Sequence, residues 1–164
     1  MAEVDKSNLL KTAAEIPHLT GAVVVVVRTE WNDRVVSELE RGCVEVLQKA
    51  GVPFRVVTVP GAFEIPYAVR AYWNAHKYKD DRPRAFIALG CVLRGDTPHF
   101  EYVCRAVTDG VLHLNMTLPL PTIFGVLTVD AQAQADERIG GKHGHKGQEA
   151  AVTALKMISL QTTL

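Results

Sequence analysis

The sequence predicts an α/β fold, a three-layer sandwich in which a four-stranded parallel sheet lies between two layers of helices. Three observations carry this. The run AVVVVVR at 22–28 is β-branched and has no polar face, as a strand covered on both sides requires. Strand-like runs then alternate with segments whose apolar residues recur every three or four positions. Turn residues separate them, with Gly just past a helix end and Pro just beyond it. Alternation of this kind builds right-handed β-α-β units, which place helices on both faces of one sheet.

Each element follows in order. Residues 1–20 are polar without a clear period and read as an arm before a single domain at 21–164, and ordering a tail this long calls for a partner surface. After the first strand, Asn32 or Asp33 caps a helix that turns Val35, Val36, Leu39, Cys43, Val46 and Leu47 inward, and Gly51 and Pro53 end it. Phe54–Val59 is the second strand, closed by Pro60-Gly61, and 64–78 is a helix with Ile65, Ala68, Val69, Tyr72 and Trp73 inward. Ala85–Leu93 is the third strand, followed by a helix from about Pro98 to about Asn115. Pro121–Thr128 is the fourth strand, and 130–138 a short helix. The turn IGGKHGHKG leads to a last helix with Ala150, Ala151, Ala154, Leu155 and Ile158 inward.

Composition narrows the function. The chain has 164 residues, one domain's length, and no solenoid-length repeat. Lys+Arg and Asp+Glu are both 18, so the net charge is zero, which disfavours nucleic-acid binding through counterion release. Hydrophobic residues make up 48% and charged residues 22%, which excludes a disordered chain. The longest apolar run, Gly21 to Val27, is too short to span a membrane, and the acidic N-terminus has no signal-peptide character. Three cysteines without CxxC spacing point to a reduced, cytosolic protein.

Ligands of open α/β sheets sit beyond the carboxyl ends of the strands, so the chemistry is sought at Glu30–Asp33, Pro60–Glu64, Cys91–His99 and after the fourth strand. Arg94-Gly95-Asp96-Thr97-Pro98-His99 combines a tight-turn glycine, an N-capping threonine and a proline suited to the first helical position. It reads either as an ordinary capped helix or as an anion site built from amides around Asp96, Thr97 and His99, with the Asp96 carboxylate opposing the anion. His99 is either a solvated helix-start residue or a proton-transfer group for neutral pH. The segment VPGAFEIP at 59–66 offers rigid backbone and the Glu64 carboxylate to a polar ligand, or is a plain strand–helix turn. Trp31 stacks on a flat ligand or packs. His143 and His145 lack a third partner for a metal, while Arg138 and Lys146 suit an anion. The cysteines have no base partner, and there is no GxGxxG or Walker loop.

Together, VPGAFEIP (59–66), ALGCVLRGDTPHFEYV (88–103), PTIFGVLT (121–128) and ADERIGG…HKGQEAA (135–151) resemble the lumazine synthase family, in one consistent order over about residues 21–160. The resemblance implies a flavodoxin-like sandwich, assembled as a homopentamer and often as a sixty-subunit icosahedral capsid. It implies riboflavin biosynthesis by a transferase that joins 5-amino-6-(D-ribitylamino)uracil to 3,4-dihydroxy-2-butanone 4-phosphate, with no cofactor and no metal. By the same resemblance Trp31 stacks on the pyrimidine, Ala62, Phe63 and Glu64 hold its ribityl chain, and Cys91, Val92 and Leu93 bond its edge. Phe124 comes from the neighbouring subunit. Asp96 and Thr97 bind phosphate through their amides, with Arg138 across the boundary and Lys146 nearby, and His99 is the acid–base residue. Trp31 stands where many members carry phenylalanine, and Glu30 where a basic residue is common. A flavin- or lumazine-binding protein that has kept the pocket without the chemistry is one alternative, and the presence of His99, Arg138 and Lys146 together argues against it. A structural cage is another, and the retained ligand-shaped pocket argues against that.

Overall fold

The structure is a computed structural model and describes residues 9–12, 16, 19 and 21–164. The arm expected at 1–20 therefore lies largely outside the described residues. Of its described part, Leu19 is buried in the core and Ile16 packs against it.

The elements are β1 (Val24–Thr29), α1 (Asp33–Lys49), β2 (Phe54–Val59), a 3-10 turn (Ala62–Glu64), α2 (Ile65–His76), β3 (Ala85–Leu93), α3 (His99–Thr117), β4 (Thr122–Val129), α4 (Gln132–Asp136), β5 (Ile139–Gly141), β6 (Gly144–His145) and α5 (Lys146–Gln161). The main sheet is parallel throughout, in the order β2-β1-β3-β4. This is the expected three-layer α/β sandwich.

Alternation along β1 and β3 divides the core in two. Val24, Val26, Ile87 and Leu89 face Leu39, Leu47, Ala151 and Leu155 of α1 and α5. Val25, Val27, Phe86 and Ala88 face Ile65, Val69, Val107 and Leu114 of α2 and α3. Each fully buried Val, Leu, Ile or Phe contributes roughly 1.5–3 kcal/mol, so these two inner strands anchor both helical layers.

Several expectations shift. β1 begins at Val24 and runs to Thr29, because its ladder starts where β2 and β3 begin, at Val24↔Phe54 and Val24↔Ala85. β4 likewise runs to Val129, paired with Leu93. The second helix is preceded by a separate 3-10 turn and ends at His76. The helix expected at 130–138 is confined to Gln132–Asp136. Neither Asn32 nor Asp33 caps α1 with its side chain. Asn32 is in the left-handed region (φ 58°), where asparagine is tolerated, and Asp33 is engaged by Arg28 and Ser37. Thr97 does not cap α3 either. Pro98 occupies the cap position, and the Glu101 amide turns back to the Pro98 carbonyl at 3.1 Å.

The glycine-rich turn is a small antiparallel hairpin, β5–β6. His145 ends it and caps α5 by accepting the Gln148 amide through Nδ1. Its buried ring lies over Gly42 of α1, where a Cβ would overlap it. At Gly147 a Cβ would overlap the Leu39 carbonyl, so α1 and α5 meet backbone to backbone.

Candidate active site

The carboxyl ends of β1, β2 and β3 converge on one mouth. The Glu30 amide donates to the Val59 carbonyl (2.9 Å) and the Trp31 amide to the Pro60 carbonyl (3.2 Å), which stitches the β1–α1 turn to the end of β2. Trp31 leaves this turn 73% exposed, with its ring free to meet a flat ligand or a partner surface. A Cβ on Gly61 would stand 3.1 Å from Glu64 Oε2 and 3.4 Å from Trp31 Cδ1, so indole and carboxylate flank the same glycine. The 3-10 turn buries Ala62 and leaves Phe63 and Glu64 exposed. On β3, Cys91 is buried and Val92 and Leu93 are half-buried.

Asn32 joins these pieces, since its side-chain amide donates to the Cys91 carbonyl at 2.8 Å. The β1–α1 turn is thereby fixed against the end of β3. Arg28 holds the same turn from below, bonding Glu40 (2.7 Å), Ser37 (3.3 Å) and Asp33. Its guanidinium holds the Asp33 carboxyl below the usual carboxylate range. Among the described residues, no backbone or side-chain acceptor takes the amides of Gly95, Asp96 or Thr97. These donors open to solvent at the start of the 19-residue helix α3, where the helix dipole favours an anion. His99 is the first residue of α3 and is exposed.

The remaining candidates lie elsewhere on the chain. Phe124 pairs with Ala88, three positions before Cys91, so it stands about 10 Å down the sheet from the mouth. It lines a groove of about 840 Å³ along β4 and α5, together with Lys146, Glu149 and Met157. Lys146 Nζ is held by both Glu149 oxygens (2.9 and 2.7 Å). Arg138 donates to the Gln134 carbonyl at 2.7 Å. Trp31, Phe63 and His99 do not line that groove, so one chain carries two separated groups of candidates.

A family profile described as 6,7-dimethyl-8-ribityllumazine synthase matches residues 21–162. The chain belongs to this family. A 6,7-dimethyl-8-ribityllumazine synthase of Cytophaga hutchinsonii is 46% identical over 162 residues, covering 97% of this chain and 98% of the relative. That of Porphyromonas gingivalis is 48% identical over 135 residues, covering 80% and 81%. That of Bdellovibrio bacteriovorus is 44% identical over 138 residues, covering 84% and 74%.

In this lumazine synthase family member burial disfavours the thiolate form of all three cysteines. Burial pushes the Cys43 thiol up to about 12 and Cys91 to about 11, and Cys104 is also raised by burial. No group of three or more metal-ligating side chains occurs among the described residues. Two residues of this mouth were missed by sequence reasoning. Asn32 was read as a helix cap, and a left-handed asparagine gives no separate signal. Arg94 was read as part of a turn, although its side chain reaches Glu101 and Asp130 (2.6 Å).

Proposed function

We propose that the chain is a transferase of riboflavin biosynthesis that condenses 5-amino-6-(D-ribitylamino)uracil with 3,4-dihydroxy-2-butanone 4-phosphate, releasing phosphate and water and giving 6,7-dimethyl-8-ribityllumazine. Within this family, one observation carries the reading: an exposed indole and a carboxylate flank one glycine at the mouth of the sheet, beside a loop of unpaired amides. A flat polar ring and a phosphate fit these two features respectively.

In this reading Trp31 stacks on the pyrimidine, and the backbone of Cys91, Val92 and Leu93 meets its edge. Ala62, Phe63 and Glu64 hold the ribityl chain, Glu64 by accepting hydroxyl protons. The amides of Asp96 and Thr97 receive the phosphate, with Arg138 and Lys146 supplying charge. The primary amine adds to the ketone, and loss of water gives an imine. Phosphate is then eliminated, and the ribityl-bearing nitrogen closes the ring with loss of a second water. Every step moves a proton and none needs an electron acceptor. His99 at the start of α3 ferries those protons, a role worth ~10²–10⁴-fold. Holding the two reactants together supplies up to ~7–11 kcal/mol more.

Two chains complete the site. The separation of Phe124, Lys146 and their groove from the Trp31 mouth supports a neighbour's Phe124 closing over the pyrimidine and a neighbour's Arg138 reaching the phosphate. The assembly in this reading is a homopentamer, with the sixty-subunit capsid as its larger form. Three free thiols support action in the reducing cytosol, and no described helix is long and apolar enough to cross a membrane. The test mixes both substrates with the protein and follows lumazine absorbance and phosphate release, with light scattering on the same sample. One phosphate per lumazine from an oligomer is expected. No lumazine, or full activity from a monomer, overturns the reading.

A further inference from the structure

The loop that carries Asp96 and Thr97 to His99 has no fastening within itself, since the amides of Gly95, Asp96 and Thr97 bond to nothing described and the side chains of 95–99 are exposed. Its position is set at its ends, and one side chain spans both. Arg94 closes β3 with its amide on the Val129 carbonyl at 2.9 Å. Its Nε donates to Asp130 Oδ1 at 2.6 Å, just past β4, and its Nη1 donates to Glu101 in the first turn of α3. The guanidinium lies 4.1 Å from the Phe100 ring centroid, stacked on the residue after His99. The hydrogen bond from Arg94 is the leading reason that the Glu101 carboxyl lies below its usual range.

We propose that Arg94 is a positioning residue for the condensation, a clamp that holds the phosphate loop and His99 in register with the end of β4. The proposal rests on the function assigned above. The planar fork matters as well as the charge, because one guanidinium meets two carboxylates and one ring in fixed directions, which a lysine cannot do. Global stability is not its main contribution. Arg94, Glu101 and Asp130 have side chains 41%, 56% and 63% exposed, a setting in which ion pairs stabilise little. Geometry is where the clamp acts, since a misplacement of about 1 Å costs up to ~10²-fold in rate.

Two variants open the clamp while changing charge in opposite directions. Arg94→Ala makes the loop more negative, and Glu101→Gln with Asp130→Asn makes it more positive. Steady-state kinetics of both against wild type should show kcat lowered about 10- to 100-fold in each. KM for the pyrimidine should stay within about twofold, because its contacts lie on other strand ends, and the melting temperature within about 3 °C. KM for the butanone phosphate should rise in Arg94→Ala. If kcat falls in Arg94→Ala and rises or holds in the double variant, charge alone acts and the clamp is overturned. Equal loss for both substrates together with a collapsed melting temperature would reduce Arg94 to a structural role. Wild type is assayed first, so a protein that makes no lumazine refutes the functional reading itself, and the clamp falls with it.

Discussion

At the scale of single residues, the side chain proposed to move protons is exposed and does little for the fold, so the proposed function and stability should separate by substitution. His99 is exposed at the start of α3. His99→Ala should lower kcat by ~10²–10⁴-fold in the coupled lumazine assay and leave the oligomer unchanged by light scattering. Unaltered kinetics would remove His99 from the mechanism. Arg138 makes one described side-chain bond, to the Gln134 carbonyl. Loss of a charge-assisted bond of roughly 1.5–3 kcal/mol should raise KM for the butanone phosphate at least tenfold in Arg138→Ala, with the pyrimidine little affected. An equal rise for both substrates would contradict its assignment to the phosphate. That Trp31, Glu64 and His99 lie at the mouth of the sheet was legible in the sequence, because their residue types stand out at strand ends. Asn32 and Arg94 were not, since their roles depend on partners far along the chain: Cys91 for Asn32, and Asp130 for Arg94. Spacing within a motif carries no information about such bonds.

At the scale of elements, β3 follows from its continuous apolar run, which is buried on both sheet faces. By contrast, β2 is a mostly exposed edge strand, legible from its β-branched residues and the Pro60-Gly61 that closes it. The inward faces of α1, α2 and α5 follow from periodicity. Helix starts were harder to place. Asparagine, threonine and proline beside a helix each have two outlets, a cap or a turn. At Asn32 a bond to the Cys91 carbonyl takes the side chain away from capping, and at the start of α3 Pro98 rather than Thr97 occupies the cap position. The β5–β6 hairpin was invisible as strands, since its strands are three and two residues long and mostly glycine. Its importance lies in delivering His145 and Gly147 to α1. Gly147→Ala should destabilise the protein by at least ~1–3 kcal/mol in urea unfolding, because the new methyl meets the Leu39 carbonyl rather than a movable side chain. A midpoint equal to that of wild type would show that α5 can withdraw from α1 at no cost.

At the scale of the whole molecule, the alternation of element types was enough to give the class of fold, but not the strand order. The order β2-β1-β3-β4 places the most apolar runs at the centre, and that choice follows from which strands can be covered twice. The same sheet separates the cluster under α1 and α5 from the one under α2 and α3. Leu47 and Leu114 are buried on opposite sides of it. Leu47→Ala and Leu114→Ala should each cost ~2–5 kcal/mol, and their effects should add to within ~0.5 kcal/mol in the double variant. Coupling much above that would mean the strands transmit strain across the sheet. The sheet is then a partition as much as a scaffold. Replacements that accumulate beneath one pair of helices do not dictate which replacements the opposite pair will accept, and the two flanks of this chain are free to diverge at different tempos around a mouth that must stay put.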